Sequence, residues 1–164
     1  MKSEHRPVKP PRYGPGFSKE TIRHYRAEKV LLPHPLPGES EARAQMSLAE
    51  CETYVNSVLR TAHVKQNFNF MGRVKVTDGR GRDSGMADFS EDSRPIIRLP
   101  RFTRNQYYIL HELSHHLVGF NAKHGPEFTR TLLHLVRAEM GQVAYKTLKD
   151  SLIRNKVGFV RFSK

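Results

Sequence analysis

The chain has almost no cysteine. Cys51 stands alone among 164 residues, which excludes an internal disulfide framework and any cysteine-rich zinc ribbon or finger. Tryptophan is absent. No apolar run approaches the roughly 20 residues a membrane span requires. The opening MKSEHRPVKPPRYGPG has no apolar stretch behind its charges, so it does not read as a secretory signal. These absences point to a soluble, cytoplasmic protein with no membrane partner. Acidic residues are also scarce, 16 against 28 Lys and Arg, for a formal net charge of +12. That balance favours anionic partners and says nothing about fold.

Hydrophobic residues make up 37% of the chain, enough for one modest core. Residues 1–16 are rich in proline, glycine and basic side chains and read as a flexible basic arm. Residues 17–46 read as an N-terminal extension: a short helix from Ser18 to Leu32, capped by Ser18, then the Pro-rich PHPLPG. The main domain is expected over 47–164. Ser47 and Glu50 form a capping-box pattern. Leu48, Cys51, Val55, Val58, Leu59 and Ala62 follow at helical spacing, predicting a helix to about His63.

The middle reads as strands. RVKVTDG (73–79), SGMADFS (84–90) and RPIIRLP (94–100) predict a small, mostly antiparallel sheet. A helix follows, with Thr103 as cap and Gln106 closing a box. Gln106, Ile109, Leu110, Leu113 and Leu117 fall on one side of it. Another helix begins at Pro126, with Phe128, Leu132, Leu135, Val136 and Met140 on one face and Gly141 at its end. A last helix over 143–153 precedes VGFVRF. The fold class is α+β, a sheet packed on a histidine-bearing helix with additional helices.

Residues 111–128 read HELSHHLVGFNAKHGPEF. His111 and His115 are four apart, so a helix aims both imidazoles the same way, one turn apart. Gly119 and Asn121 can end that helix and turn the chain back, bringing His124 in as a third ligand. Three neutral imidazoles and an open fourth position suit catalytic Zn2+. Glu112 lies beside the ligand face, where it could act as general base on a metal-activated water. His-Glu-x-x-His alone is a weak pattern in a chain of nine histidines; its helical context and the following His-Gly-Pro-Glu-Phe strengthen it. His116 points elsewhere and reads as a packing or surface histidine, as does His134. Glu127 fits the acidic first turn of a helix and could alternatively brace a ligand histidine. Tyr108 reads as a gap-filling aromatic, with oxyanion support as the alternative.

This stretch resembles the SprT-like branch of the zincin metalloproteases, which carry His-Glu-x-x-His followed by a later His-Gly-x-x-Phe or a close variant. Length and motif look closer still to small metallohydrolases of actinobacteria and their phages. The specific likeness covers about 18 residues and the architectural likeness roughly 47–141. The resemblance implies a zincin-like fold, zinc on His111, His115 and His124, and Glu112 as catalytic base. It also implies peptide-bond hydrolysis, with a sheet edge, RPIIRLP or SGMADFS, aligning an extended protein or peptide substrate. The His115–His124 spacing departs from that of metzincins, and the zinc ribbon of relatives acting on DNA-bound proteins has no counterpart here.

The positive charge is spread out. Residues 1–30 hold eight basic residues against three acids, 60–104 ten against five, and 141–164 six against one. This is either a nucleic-acid face or a generally basic surface. Two further readings therefore stand beside a zinc peptidase: a nucleic-acid-binding protein with a structural or vestigial metal site, and a metallohydrolase cleaving a non-peptide amide.

Overall fold

The computed structural model describes residues 18–32, 46–70, 72–81, 85–88 and 95–159. The expected basic arm and PHPLPG lie outside them. The described chain is α+β, with five helices and one three-stranded sheet.

Helix α1 spans Lys19–Glu28, with the Ser18 hydroxyl accepting from the Thr21 amide. Helix α2 spans Leu48–Arg60. Its capping box is formed: the Glu50 amide donates to Ser47 Oγ at 3.2 Å, and the Ser47 amide to Glu50 Oε2 at 2.7 Å. It stops three residues short of the expected His63. Thr61 turns extended, and a short helix α3, Ala62–Asn67, starts after it.

The strands are β1 Lys75–Asp78, β2 Met86–Asp88 and β3 Ile96–Leu99, in the order β1-β3-β2. The sheet is mixed, not mostly antiparallel. β3 pairs antiparallel with β2 and parallel with β1. The chain leaves β1, passes to the far edge for β2, and returns through the middle as β3. Alternation within each strand marked them as strands, but it carries no information on which neighbour each would find. Arg98 of β3 binds Asp88 of β2 through Nε at 3.0 Å and its terminal nitrogen at 2.8 Å, pinning that pair.

The outer edge of β1 is closed by α2. Asn56 accepts from the Val74 amide at 3.1 Å and donates to the Val74 carbonyl at 2.9 Å. Glu52 Oε2 accepts from the Val76 amide at 3.0 Å. Side chains thus stand in for a fourth strand.

Helix α4 spans Gln106–Val118. Its cap is Asn105, whose side chain accepts from the Tyr108 amide, rather than Thr103. Thr103 sits in a 3-10 turn, and its hydroxyl is given to the Pro100 carbonyl. Gln106 reaches Tyr54 and the Glu139 carbonyl instead of closing a box. Helix α5 runs from Pro126 to Arg154 and is broken at Gly141, whose φ of 89° is non-helical, where the sequence expects one helix to end and another to follow.

The core lies between the sheet, α4 and α5. Ile97 and Leu99 of β3, Ile109, Leu110 and Leu113 of α4, and Phe128, Leu132 and Leu135 of α5 are all fully buried. Burying each such side chain contributes about 1.5–3 kcal/mol. Among the described residues, no helix is long and apolar enough to cross a membrane.

Candidate metal centre

Helix α4 carries His111 and His115 one turn apart, with ring centroids 5.1 Å from each other. The helix ends at Gly119, whose φ of 84° lies in the region that favours glycine. A 3-10 turn at Phe120–Ala122 and a left-handed Lys123 (φ 46°) then bend the chain back. This delivers His124 to the start of α5. His124 Nε2 lies 3.2 Å from His111 Nε2, and one donor atom from each of His111, His115 and His124 falls within 4.8 Å of the others.

Phe128, one turn into α5, floors the cluster. Its ring centroid is 4.3 Å from that of His115, 4.8 Å from His124 and 5.0 Å from His111. From the other side, the Tyr25 ring of α1 stacks on His111 at 6.1 Å and meets His124 edge-on at 4.9 Å. His111 and His124 are buried, while His115 is half-buried and marks the solvent side.

The electrostatics suit a cation. Burial, and then the charges of neighbouring histidines, holds His115 down to about 2 and His124 down to about 3. Both are neutral imidazoles at physiological pH, the form that ligates. His111 is the reverse. Burial pushes it down, but the charge of Glu28, their hydrogen bond and the charge of Glu112 together raise it to about 9. The potential that holds a proton at His111 would equally favour a metal dication. Three converging imidazoles, one of them backed at Nδ1 by the Glu28 carboxylate, fit a divalent metal such as zinc.

Glu112 is buried beside β2. Its carboxylate accepts from the backbone amide of Ala87, and burial raises its pKa. Close approach there depends on Gly85, since a Cβ at that position would lie 2.8 Å from Glu112 Oε1. Tyr108 is half-buried, and burial followed by the charges of Glu28 and Glu112 raises its phenol. His116 donates from Nε2 to the Ile96 carbonyl at 3.0 Å, tying α4 to β3. His134 packs against His63 and Phe68.

The sequence missed the carboxylate that braces the cluster. Glu127 is exposed in the first turn of α5, whereas Glu28 of α1 reaches His111 Nδ1 at 2.6 Å. Glu28 also accepts from the Tyr107 hydroxyl at 2.7 Å, and its other oxygen lies 3.2 Å from His24 Nδ1. Burial would raise the Glu28 pKa, but His111 and His24 outweigh it and hold the carboxyl well below the ordinary range. The one available signal was the i,i+4 spacing of His24 and Glu28 on the predicted first helix.

No family model, no curated protein and no solved structure matches this chain.

Proposed function

We propose that this chain is a zinc-dependent metallohydrolase, and that its reaction is hydrolysis of a peptide bond. The observation that carries the reading is the convergence of His111, His115 and His124 within 4.8 Å. The placement of Glu112 on the Ala87 amide adds a base beside that cluster. A structural site needs ligands but no base, so a buried carboxylate that follows a ligand directly and makes no contact with a ligand's Nδ1 favours the catalytic reading. The zincin-like, SprT-like resemblance of the motif supports the same chemistry.

When bound, zinc supplies Lewis-acid polarisation and a more acidic water. His111, His115 and His124 would hold it. Glu112 takes the proton from the attacking water and passes it to the leaving nitrogen. An extended substrate runs along β2, because β3 is central and α2 side chains cover the outer edge of β1; the Ala87 amide on that side is already given to Glu112, which sets the substrate beside the base. Of the two expected edges, SGMADFS is therefore the one favoured, since its described residues Gly85 and Ala87 lie beside Glu112.

A second reading has its own observation. Arg60, Lys65 and Arg73 line one groove beside α2, and all three are exposed. A nucleic-acid backbone would suit it, with the metal site structural.

The test is metal content by mass spectrometry together with hydrolysis of a protein or mixed peptide substrate. Wild type is expected to hold one zinc per chain, His124→Ala to lose it, and Glu112→Gln to keep zinc and fold but lose hydrolysis. Full activity in Glu112→Gln would sink the peptidase reading.

A further inference from the structure

We propose that Glu28 is the positioning residue of the metal centre, which makes α1 a working part of it; this rests on the metallohydrolase reading above. Glu28 contacts His111 at Nδ1, at 2.6 Å. That contact places the imidazole proton on Nδ1 and leaves Nε2, the atom facing His124, as the ligand. The ring cannot turn without breaking a short, charge-assisted bond. The carboxylate also makes Nε2 a better donor by pulling on the Nδ1 proton.

The contact is itself held from two directions. Tyr107, one turn before His111 on α4, donates its hydroxyl to the same Glu28 oxygen. His24, one turn before Glu28 on α1, approaches the other oxygen at 3.2 Å. The far nitrogen of His24 lies 3.1 Å from Thr129 Oγ1, and that hydroxyl donates to the Gly125 carbonyl at 3.1 Å. Gly125 follows His124 directly. One helix therefore braces both ligand-bearing segments: α4 through Glu28, and the His124–Gly125 junction through His24. Ala27 between them is fully buried, so α1 sits firmly against its neighbours.

A buried acid is costly unless its partners repay it, and an apolar latch would hold α1 at least as well. Glu28 gains its purpose from the imidazole it orients. An N-terminal helix 83 residues from His111 thus belongs to the site rather than to an extension of it.

The experiment compares the full chain and Glu28→Gln after stripping with chelator. Zinc affinity is measured by competition with a chromogenic chelator, the visible spectrum with Co(II), and the fold by circular dichroism. Glu28→Gln is expected to fold, to bind zinc roughly 10- to 100-fold more weakly, and to shift the Co(II) bands. Affinity within about twofold of wild type with unchanged Co(II) bands would make Glu28 a packing latch and overturn the proposal. If Glu28→Gln does not fold, Tyr107→Phe removes one donor while keeping the carboxylate. It is expected to weaken zinc several-fold, and an unchanged affinity there overturns the proposal too. Wild type that binds no zinc would instead sink the metallohydrolase reading, and this inference with it.

Discussion

Gly85 leaves room for the Glu112 carboxylate that a side chain would fill: a Cβ on Gly85 would stand 2.8 Å from Glu112 Oε1 and 3.3 Å from its Cδ. The side chain must yield, because real Cβ contacts do not come that close. Gly85→Ala is therefore expected to push the carboxylate off the Ala87 amide while leaving the three histidines in place. Hydrolysis should fall roughly 10- to 100-fold, as small displacements of a catalytic group do. Zinc content should stay at the wild-type level. Loss of zinc in step with activity would show that the glycine serves the fold instead.

Phe128→Ala removes the floor under all three histidines. Truncating a fully buried phenylalanine costs about 3–5 kcal/mol, read as a lower urea midpoint. Added zinc should recover part of that loss by mass action, because it binds only the folded cluster. A midpoint indifferent to zinc would count against the histidine cluster as a metal site.

Asn56→Ala unseals β1. It strands the Val74 amide and carbonyl, and Asn56 is itself buried, so a loss of about 2–3 kcal/mol is expected. Asn56→Asp keeps the acceptor and loses the donor, and should fall between Ala and wild type.

Stability should also depend on pH through His134. Burial, and then the charges of His63 and Arg137, hold His134 below the ordinary histidine range, and its Nε2 is buried without a hydrogen-bond partner. The other groups facing this spot are Glu139, 3.5 Å from His63 Nε2, and the Phe68 ring. The unfolded chain takes a proton near pH ~6.5, before the folded one does. The stability His134 contributes is thus complete above that pH and is lost as pH falls toward the lower folded value. Between about pH 7.5 and 5.5 the wild-type urea midpoint should drop, and His134→Leu should drop less.

Cys51 is fully buried, and burial pushes its thiol up to about 11. A thiol reagent at neutral pH should label it only after denaturant is added, one equivalent per chain. Rapid labelling of native protein would mean that α2 opens on the timescale of the reaction.

What was legible in the sequence was local. The Ser47–Glu50 box and the four-residue step from His111 to His115 depend on a single helical turn, so spacing alone revealed them. Gly119 and Pro126 punctuated the return of His124 for the same reason. Thr103 misled, because its hydroxyl is spent on the Pro100 carbonyl and Asn105, two residues on, caps the helix instead. The parallel pairing of β1 with β3 was hidden because alternation is blind to partner and direction. Glu28 was hidden more deeply: nothing in its own neighbourhood says that an acid on an early helix will be buried against His111.

The closure of β1 by Asn56 and Glu52 gives the described sheet a front and a back. A ladder of copies that grows without limit needs two open sides on every copy, one to give and one to receive. On the described sheet only the β2 side is left for one extended segment or one second copy, and either would have to share the Ala87 amide with Glu112. Such a pair would cover the edge beside Glu112 in both copies at once, so self-association through this sheet ends at two and would compete with substrate.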